Sequence, residues 1–453
     1  MANVVILGAG LTGLSAAYHL EKNGFYDYTL FEKEETVGGL CRSIEQDGFT
    51  FDLTGHLLHA SDNYVRSLID NLIGLQHFNY ITRQAYIYSQ GRYTHYPYQI
   101  NLFGLPTKII AECIEGFVTR NPTLKENPSF YDWVLHEFGA GFGNHFFFPY
   151  QTKMLAHDIH NLTASWTSRY VPKTSLKQII DGALTENNGS DVGYNAHFFY
   201  PKYGGTFFWV NRFAKHIKNP IKTNFCVQSI DIQHKKILFA NGHIESYNQL
   251  INTIPLDTLL HALREPSSST LKSSAHKLLC NSVVNFNIGV NNSSLGDKHW
   301  IYYPEHQYPF YRIGFPHNFS SELVPAGCNA LAGEFSYINQ PSATIDETLK
   351  MAIKQVKTLF NIADQDIKTE KIIYISHGYV IYDFWREQYL PVLLKTLQKQ
   401  SIYCAGRYAE WKYSSMQDAL LDGQKIAHTI TALPARTALC TPRIKISERK
   451  REL

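Results

Sequence analysis

Hydrophobic positions along this chain fall into runs of two kinds. "NVVIL" (3–7) is a short unbroken apolar run, as expected for a strand buried on both faces of a parallel sheet. "LSAAYHLEKNG" (14–24) then spaces its apolar residues as a helix does, and "YTLFE" (28–32) is a second strand. The three predict a βαβ unit. Helical periodicity returns in "LPTKIIAECIEGF" (105–117) and "PSFYDWVLHEFG" (128–139). "EPSSSTLKSSAHK" (265–277) reads as a loop, and no internal repeat is present. One stretch fits neither period. Residues 300–312, "WIYYPEHQYPFYR", place six aromatic rings in thirteen residues and close on an arginine. A buried strand seldom closes such a run on a guanidinium, whereas a ligand-binding face can, because phenols and a guanidinium together suit phosphate. Which of the two it is depends on what the rest of the chain binds.

Length changes the picture first. At 453 residues the chain calls for two or three lobes. With 44% hydrophobic and 18% charged residues it is an ordinary globular protein, and its 14% aromatic content fits aromatic-lined pockets or an aromatic core equally. The net charge of +3 comes from 42 basic and 39 acidic residues mixed along the chain, which argues against a nucleic-acid partner. The basic tail "RIKISERKREL" (443–453) reads as a solvated end. Seven cysteines (41, 113, 226, 280, 328, 404, 440) are scattered without a CxxC, so neither a metal site nor a disulfide framework is expected, and cytoplasmic thiols are. The N-terminal run lacks a positive leader and is broken by glycines, unlike a signal peptide. No stretch approaches the ~18 apolar residues of a membrane span.

Candidate chemistry starts at "GAGLTG", which sets Gly8, Gly10 and Gly13 between the first strand and the helix. Glycines there let a pyrophosphate approach the backbone at a helix N-terminus. Glu32 ends the second strand about 20 residues on, where a carboxylate meets a ribose hydroxyl and repels a 2′-phosphate. FAD or NAD therefore fits better than NADP.

"EKEETVGGLCRS", with Gly38, Gly39 and Arg42, resembles the extension of the dinucleotide site in the glutathione-reductase/amine-oxidase group of flavoproteins. "YPKYGGTFFWVNRFAKHI" (200–217), "INTIPL" (251–256) and "CAGRYAEWKYSSMQDALLDGQKIA" (404–427) resemble later parts of the same flavin domain. The resemblance implies FAD, with Gly55, Gly406, Arg407, Met416 and Gln417 completing its site. Seven segments narrow the family: "GGLCRSIEQDGFTFDLTGH", "YPYQ", "PYQTKML", "YNAHFFYPKYGG", the 300–312 strip, "HGYVIYD" and "GRYAEWKY". In this order they resemble the UDP-galactopyranose mutase family, most nearly its eukaryotic-type branch, over about residues 3–430.

That resemblance implies an α/β protein. A discontinuous Rossmann-type FAD-binding domain would be built from about 1–60, 200–260 and 395–432. A mainly helical insertion would occupy 61–199, a sheet-rich substrate lobe 261–394, and the basic tail 433–453. It implies a UDP-sugar substrate held by Tyr96, Gln99, Asn195, Trp300, Tyr302, Arg312, Tyr379, Arg407 and Tyr413, with the two arginines on the diphosphate. His56 and Arg169 join Arg312 and Arg407 as catalytic candidates, His56 under the flavin and Arg169 near flavin and sugar. Arg83 matches a residue implicated in meeting a nicotinamide. Reduced FAD would attack the anomeric carbon through N5, interconverting UDP-galactopyranose and UDP-galactofuranose with no net redox change, after priming by NADPH or NADH. The family places such an enzyme in cell-surface polysaccharide biosynthesis, and a homo-oligomer is compatible with it.

Two departures stand out. The family has Gly-Gly-His where this chain has Thr54-Gly55-His56, and a β-branched residue is not expected at the positive φ glycine permits. His59 replaces an aromatic expected near the uridine. Open alternatives are a mutase for another nucleotide sugar, an oxidase or dehydrogenase of the amine/porphyrinogen oxidase type, and a flavin-bearing binding protein without turnover. Arg312 paired with a carboxylate such as Glu305 is the structural alternative to its phosphate role.

Overall fold

A computed structural model describes residues 4–186, 196–264, 269–291 and 295–433. Asn195 and the tail beyond Leu433 lie outside them. The N-terminal run forms strand β1 (Val4–Leu7), all four residues buried, followed by helix α1 (Leu11–Lys22) and strand β2 (Tyr28–Phe31). β1 is the middle strand of a five-stranded parallel sheet ordered Ile402–Cys404, Gln249–Asn252, β1, β2, Ile221–Lys222. The strands come from three separated stretches of chain, and helices cover them. This is an α/β fold with a Rossmann-type dinucleotide domain. α1 buries Leu14, Ala16, Ala17 and Leu20 in the core beside this sheet, each leucine contributing about 1.5–3 kcal/mol. The Met416–Thr431 helix lies against it so closely that a Cβ on Gly423 would stand 2.4 Å from the Ser15 Cβ.

A second, seven-stranded sheet runs Ile367–Ile375, Ser282–Asn291, Cys328–Tyr337, Arg312–Gly314, Trp300–Tyr302, Ala85–Ser89, Arg92–His95. The 61–199 stretch supplies helices such as Thr107–Val118, Phe130–Glu137 and Phe148–Leu155. It also supplies the last two strands of this sheet, whose cue is the alternation of buried Ala85, Ile87 and Ser89 with half-buried Tyr86 and Tyr88.

The 300–312 strip folds as a strand, a loop and the start of the returning strand. Tyr302 is register partner of Arg312, and Arg312 of Glu334 on the next strand. Side chains alternate: Trp300, Tyr302 and Arg312 face the cavity described below, whereas Ile301, Tyr303 and Ile313 are fully buried in the core behind. No helix among the described residues is long and apolar enough to cross a membrane.

Candidate active site

A cavity of about 730 Å³ runs between the two sheets. Its first wall is the β1–α1–β2 unit and the segment that follows it, with Gly8, Gly10, Glu32, Gly38, Gly39 and Arg42 on the surface. Gly13 lies beneath the wall, where a Cβ would stand 1.9 Å from the Gly8 carbonyl oxygen. A Cβ on Gly39 would come within 3.2 Å of the Gly10 Cα, so the two glycine segments nearly touch. α1 opens at Gly10 with no side-chain cap, leaving its first-turn N–H groups for a ligand. Glu32, 6% exposed, accepts from the backbone N–H of Ala9 (2.7 Å) and of Glu34 (3.0 Å). These bonds hold the carboxylate at the end of β2. Arg42 Nε donates to the Gly39 carbonyl at 2.8 Å. An uncapped helix N-terminus, a glycine cradle and a fixed carboxylate in this order fit a dinucleotide.

The middle of the cavity holds Thr54, Gly55, His56 and Met416. Thr54 has φ +69°, so the expectation that a β-branched residue would not take a left-handed conformation is corrected. His56 Nδ1 lies 3.3 Å from the Thr54 carbonyl. A carbonyl only accepts, so this nitrogen carries the proton and Nε2 is the free acceptor. Burial pushes the His56 pKa down, opposed by Asp52, so the ring is neutral near pH 7. A Cβ on Gly55 would lie 3.6 Å from Arg312 Nη2, which puts the arginine directly over this loop.

The far wall gathers Tyr96, Gln99, Trp300, Tyr302, Arg312, Tyr379, Arg407 and Tyr413 around one space. Arg312 is not paired with Glu305, which instead accepts from Gln90 and Gln307. Its partner is Glu334, 3% exposed. Burial alone would lower the Arg312 pKa, but the Glu334 carboxylate overrides this and raises it. Arg407 donates from Nη1 to the Ser414 carbonyl (3.2 Å) and from Nη2 to that of Gly378 (3.1 Å). Its guanidinium stands 4.7 Å from the Tyr413 ring centre and 5.4 Å from that of Tyr379. Burial pushes the Tyr379 phenol up to about 12, against the pull of Arg312, so it is a neutral donor at physiological pH. Four buried polar atoms of the lining, Arg407 Nε, Ser414 Oγ, Gln151 Oε1 and Trp300 Nε1, have no hydrogen-bond partner among the described residues. Buried polar groups are rarely left so, and together they point to a polar ligand.

Several expected residues stand elsewhere. Arg169 is absent from the lining; its Nη2 donates to Asp418 (2.8 Å), and its side chain is 53% exposed. Gln417 accepts from the Asp62 N–H (2.8 Å) at the edge of the Met416–Thr431 helix and does not line the cavity. Gly406 packs against Thr12, where a Cβ would lie 2.4 Å from Oγ1. Arg83 is 2% exposed and stacked on Tyr96 at 4.8 Å, away from any solvent encounter. Gln99 and His59 do line the cavity, Gln99 donating to the Pro172 carbonyl at 2.6 Å. Residues that sequence reasoning did not single out are Glu334, Tyr311, Tyr150 and Gln151. The segment "PYQTKML" pointed at the last two without separating them from their neighbours. Nothing local pointed to Glu334.

The model of the family described as "Flavin containing amine oxidoreductase" matches residues 11–431. The chain belongs to this family. Among solved structures it is similar to reduced UDP-galactopyranose mutase, with 27% identity and a TM-score of 0.88 over 95% of this chain and 94% of that one. It shares the fold of putrescine oxidase bound to putrescine, with 14% identity and a TM-score of 0.64 over 95% of this chain and 99% of that one. Curated relatives match over short stretches. Mitochondrial protoporphyrinogen oxidase of Nicotiana tabacum is 42% identical over 69 residues, 15% of this chain and 14% of that protein. A 4,4'-diapophytoene desaturase of Staphylococcus aureus is 39% identical over 61 residues, 14% of this chain and 12% of that protein. The chain is thus a flavoprotein of the amine-oxidase type, similar to UDP-galactopyranose mutase, and its dinucleotide wall fits FAD.

Proposed function

We propose that this protein is a mutase interconverting UDP-galactopyranose and UDP-galactofuranose. The observation that carries the reading is the pairing of two half-buried guanidiniums, Arg312 and Arg407, with the phenols of Tyr302, Tyr379 and Tyr413 in one cavity. A doubly charged diphosphate suits that set, each charge-assisted hydrogen bond contributing about 1.5–3 kcal/mol. An oxidase of amines has no use for two cations beside its substrate.

FAD would lie along Gly8–Gly13, Glu32, Gly38, Gly39 and Arg42, with residues 1–60, 200–260 and 395–432 forming its domain. Once primed by NADPH or NADH, it supplies the nucleophile for the anomeric carbon with no net redox change. The protein's task is then to keep the detached UDP in place. Arg312 is held by Glu334 on its Nη2 edge, which turns its other hydrogens to the ligand. Arg407 is held on both Nη atoms and offers Nε. Tyr96 and Gln99 take the uracil, and the aromatic walls exclude water that would hydrolyse an activated sugar. His56 presents the Nε2 lone pair in a neutral ring.

The test is anaerobic. The yellow protein is reduced with dithionite and given UDP-galactofuranose, and chromatography follows UDP-galactopyranose. Conversion only in the reduced state is expected. Absence of conversion, together with O2-consuming turnover of an amine or porphyrinogen, would replace this reading with the oxidase one that the curated relatives' names suggest.

A further inference from the structure

The helix Phe148–Leu155 carries a lysine in its last turn whose ammonium is turned inward. Lys153 Nζ donates to the carbonyls of Tyr303 (2.7 Å) and Glu305 (2.5 Å) and lies 3.4 Å from that of Phe310. All three carbonyls belong to the loop joining strand Trp300–Tyr302 to strand Arg312–Gly314. The same helix lends Tyr150 and Gln151 to the cavity. Its Met154 carbonyl accepts from Asn281 Nδ2 (2.8 Å) and Ser336 Oγ (2.6 Å), on or beside the two long strands of the large sheet. The helix is therefore fixed to the sheet at one residue and the loop hangs from the residue before it.

We propose that Lys153 is a positioning residue for the Trp300–Arg312 hairpin: its ammonium gathers three loop carbonyls onto the helix bearing Tyr150 and Gln151, and so sets where Tyr302 and Arg312 stand. The consequence for binding rests on the diphosphate reading of Arg312; the geometry does not. An ammonium has three hydrogens for three acceptors, whereas a neutral amine has two. Burial pushes the Lys153 pKa down to about 7, opposed by Glu305, so the third bond is lost as pH rises through neutrality.

His306, exposed on the same loop beside Glu305, is kept in the Lys153→Met variant, so any pH effect of its own persists there. The other groups facing this point are neutral or paired. On the loop, burial raises the pKa of Tyr303 and Tyr308, and on the helix that of Tyr150, keeping all three phenols neutral. On the neighbouring strands Arg312 and Glu334 are locked as a pair. His56 and His59, lowered by burial, are already uncharged.

The experiment compares the FAD-loaded protein and its Lys153→Met variant from about pH 6 to about pH 9. It follows UDP affinity and amide hydrogen exchange in segment 303–311. Wild type is expected to lose about tenfold in UDP affinity above neutrality. Lys153→Met is expected to be weak at every pH, to raise KM more than it lowers kcat, and to leave the flavin spectrum unchanged. Wild-type affinity in the variant, or the same pH dependence retained in it, would overturn the proposal. A wild type that does not bind UDP at all would instead refute the diphosphate reading. Exchange then decides for Lys153: faster opening of 303–311 in the variant, and in wild type above neutrality, supports it, and unchanged exchange refutes it. Should the variant fail to fold, the pH series is repeated on His306→Gln, which keeps Lys153; loss of the pH dependence there would overturn the proposal, and its persistence supports it.

Discussion

Arg312 Nη2 donates to both carboxylate oxygens of Glu334, at 2.7 and 2.8 Å, and the Tyr311 hydroxyl donates to the same carboxylate at 2.6 Å. The two are register partners on adjacent strands, so the sheet fixes their separation. Removing the guanidinium leaves a carboxylate buried at 3% exposure without a counter-charge. Arg312→Ala should therefore lose two things at once: about 3–5 kcal/mol of stability and at least tenfold in UDP affinity. The double variant Arg312→Ala/Glu334→Ala should recover much of the stability and none of the affinity. Calorimetry and UDP titration separate these. Equal recovery of both would mean that Arg312 serves only the fold.

Gly10 and Gly13 look alike in the sequence and differ in what surrounds them. A Cβ on Gly13 would stand 1.9 Å from a backbone oxygen, whereas one on Gly10 meets only the Gly39 Cα at 3.9 Å. Gly10 also has φ −69°, which alanine adopts freely. Gly13→Ala should fail to fold or lose several kcal/mol. Gly10→Ala should fold with unchanged melting of the flavin-free protein and weaken FAD binding about tenfold, by filling the approach to α1. Full FAD content in purified Gly10→Ala would remove Gly10 from the cofactor site.

Much of the dinucleotide wall was legible because its chemistry is local: strand, glycines, helix and Glu32 follow one another within 32 residues. The far wall was legible mostly through resemblance, since Tyr96, Trp300, Tyr379 and Arg407 come from separate strands and loops that only the tertiary fold brings together. Glu334 shows the limit. It lies 22 residues beyond Arg312 in an unremarkable run, "GEFSY", and only strand register makes it the arginine's partner. Arg169 shows the converse: a matching position whose side chain turns to Asp418 and solvent.

Thr54 takes a left-handed conformation in the loop beneath Arg312. For a residue with a Cβ this costs about 1–2 kcal/mol, held in place by the surrounding structure. Glycine removes that cost and adds about 0.5–1 kcal/mol of backbone entropy. Thr54→Gly should thus be neutral to mildly stabilising, by up to about 1 kcal/mol, whereas Thr54→Val should give no such gain. Thermal melts of the three proteins check this. A clear loss of stability in Thr54→Gly would mean that the threonine side chain makes contacts worth more than its strain.

Acid should destabilise the protein well before its carboxylates titrate. His19, buried between α1 and the Asn63–Leu72 helix, donates from Nδ1 to the Ser15 carbonyl at 2.7 Å, which leaves Nε2 to accept from the Tyr64 hydroxyl at 2.6 Å. Burial pushes its pKa from 6.5 down to about 4, and burial does the same to His299. The unfolded chain binds a proton at each ring at about 6.5, and the folded chain not until about 4. Between those values the unfolded state holds more protons, so falling pH favours it. Their contribution to stability is intact above pH 6.5 and is lost progressively towards pH 4. At about 1.4 kcal/mol per pKa unit, the two rings together weaken the fold by several kcal/mol across that window. His19→Gln should melt lower than wild type at neutral pH, for want of its two bonds, yet show a shallower fall with acid. Parallel melting curves against pH for the two proteins would show that His19 is protonated in the fold at its ordinary pKa.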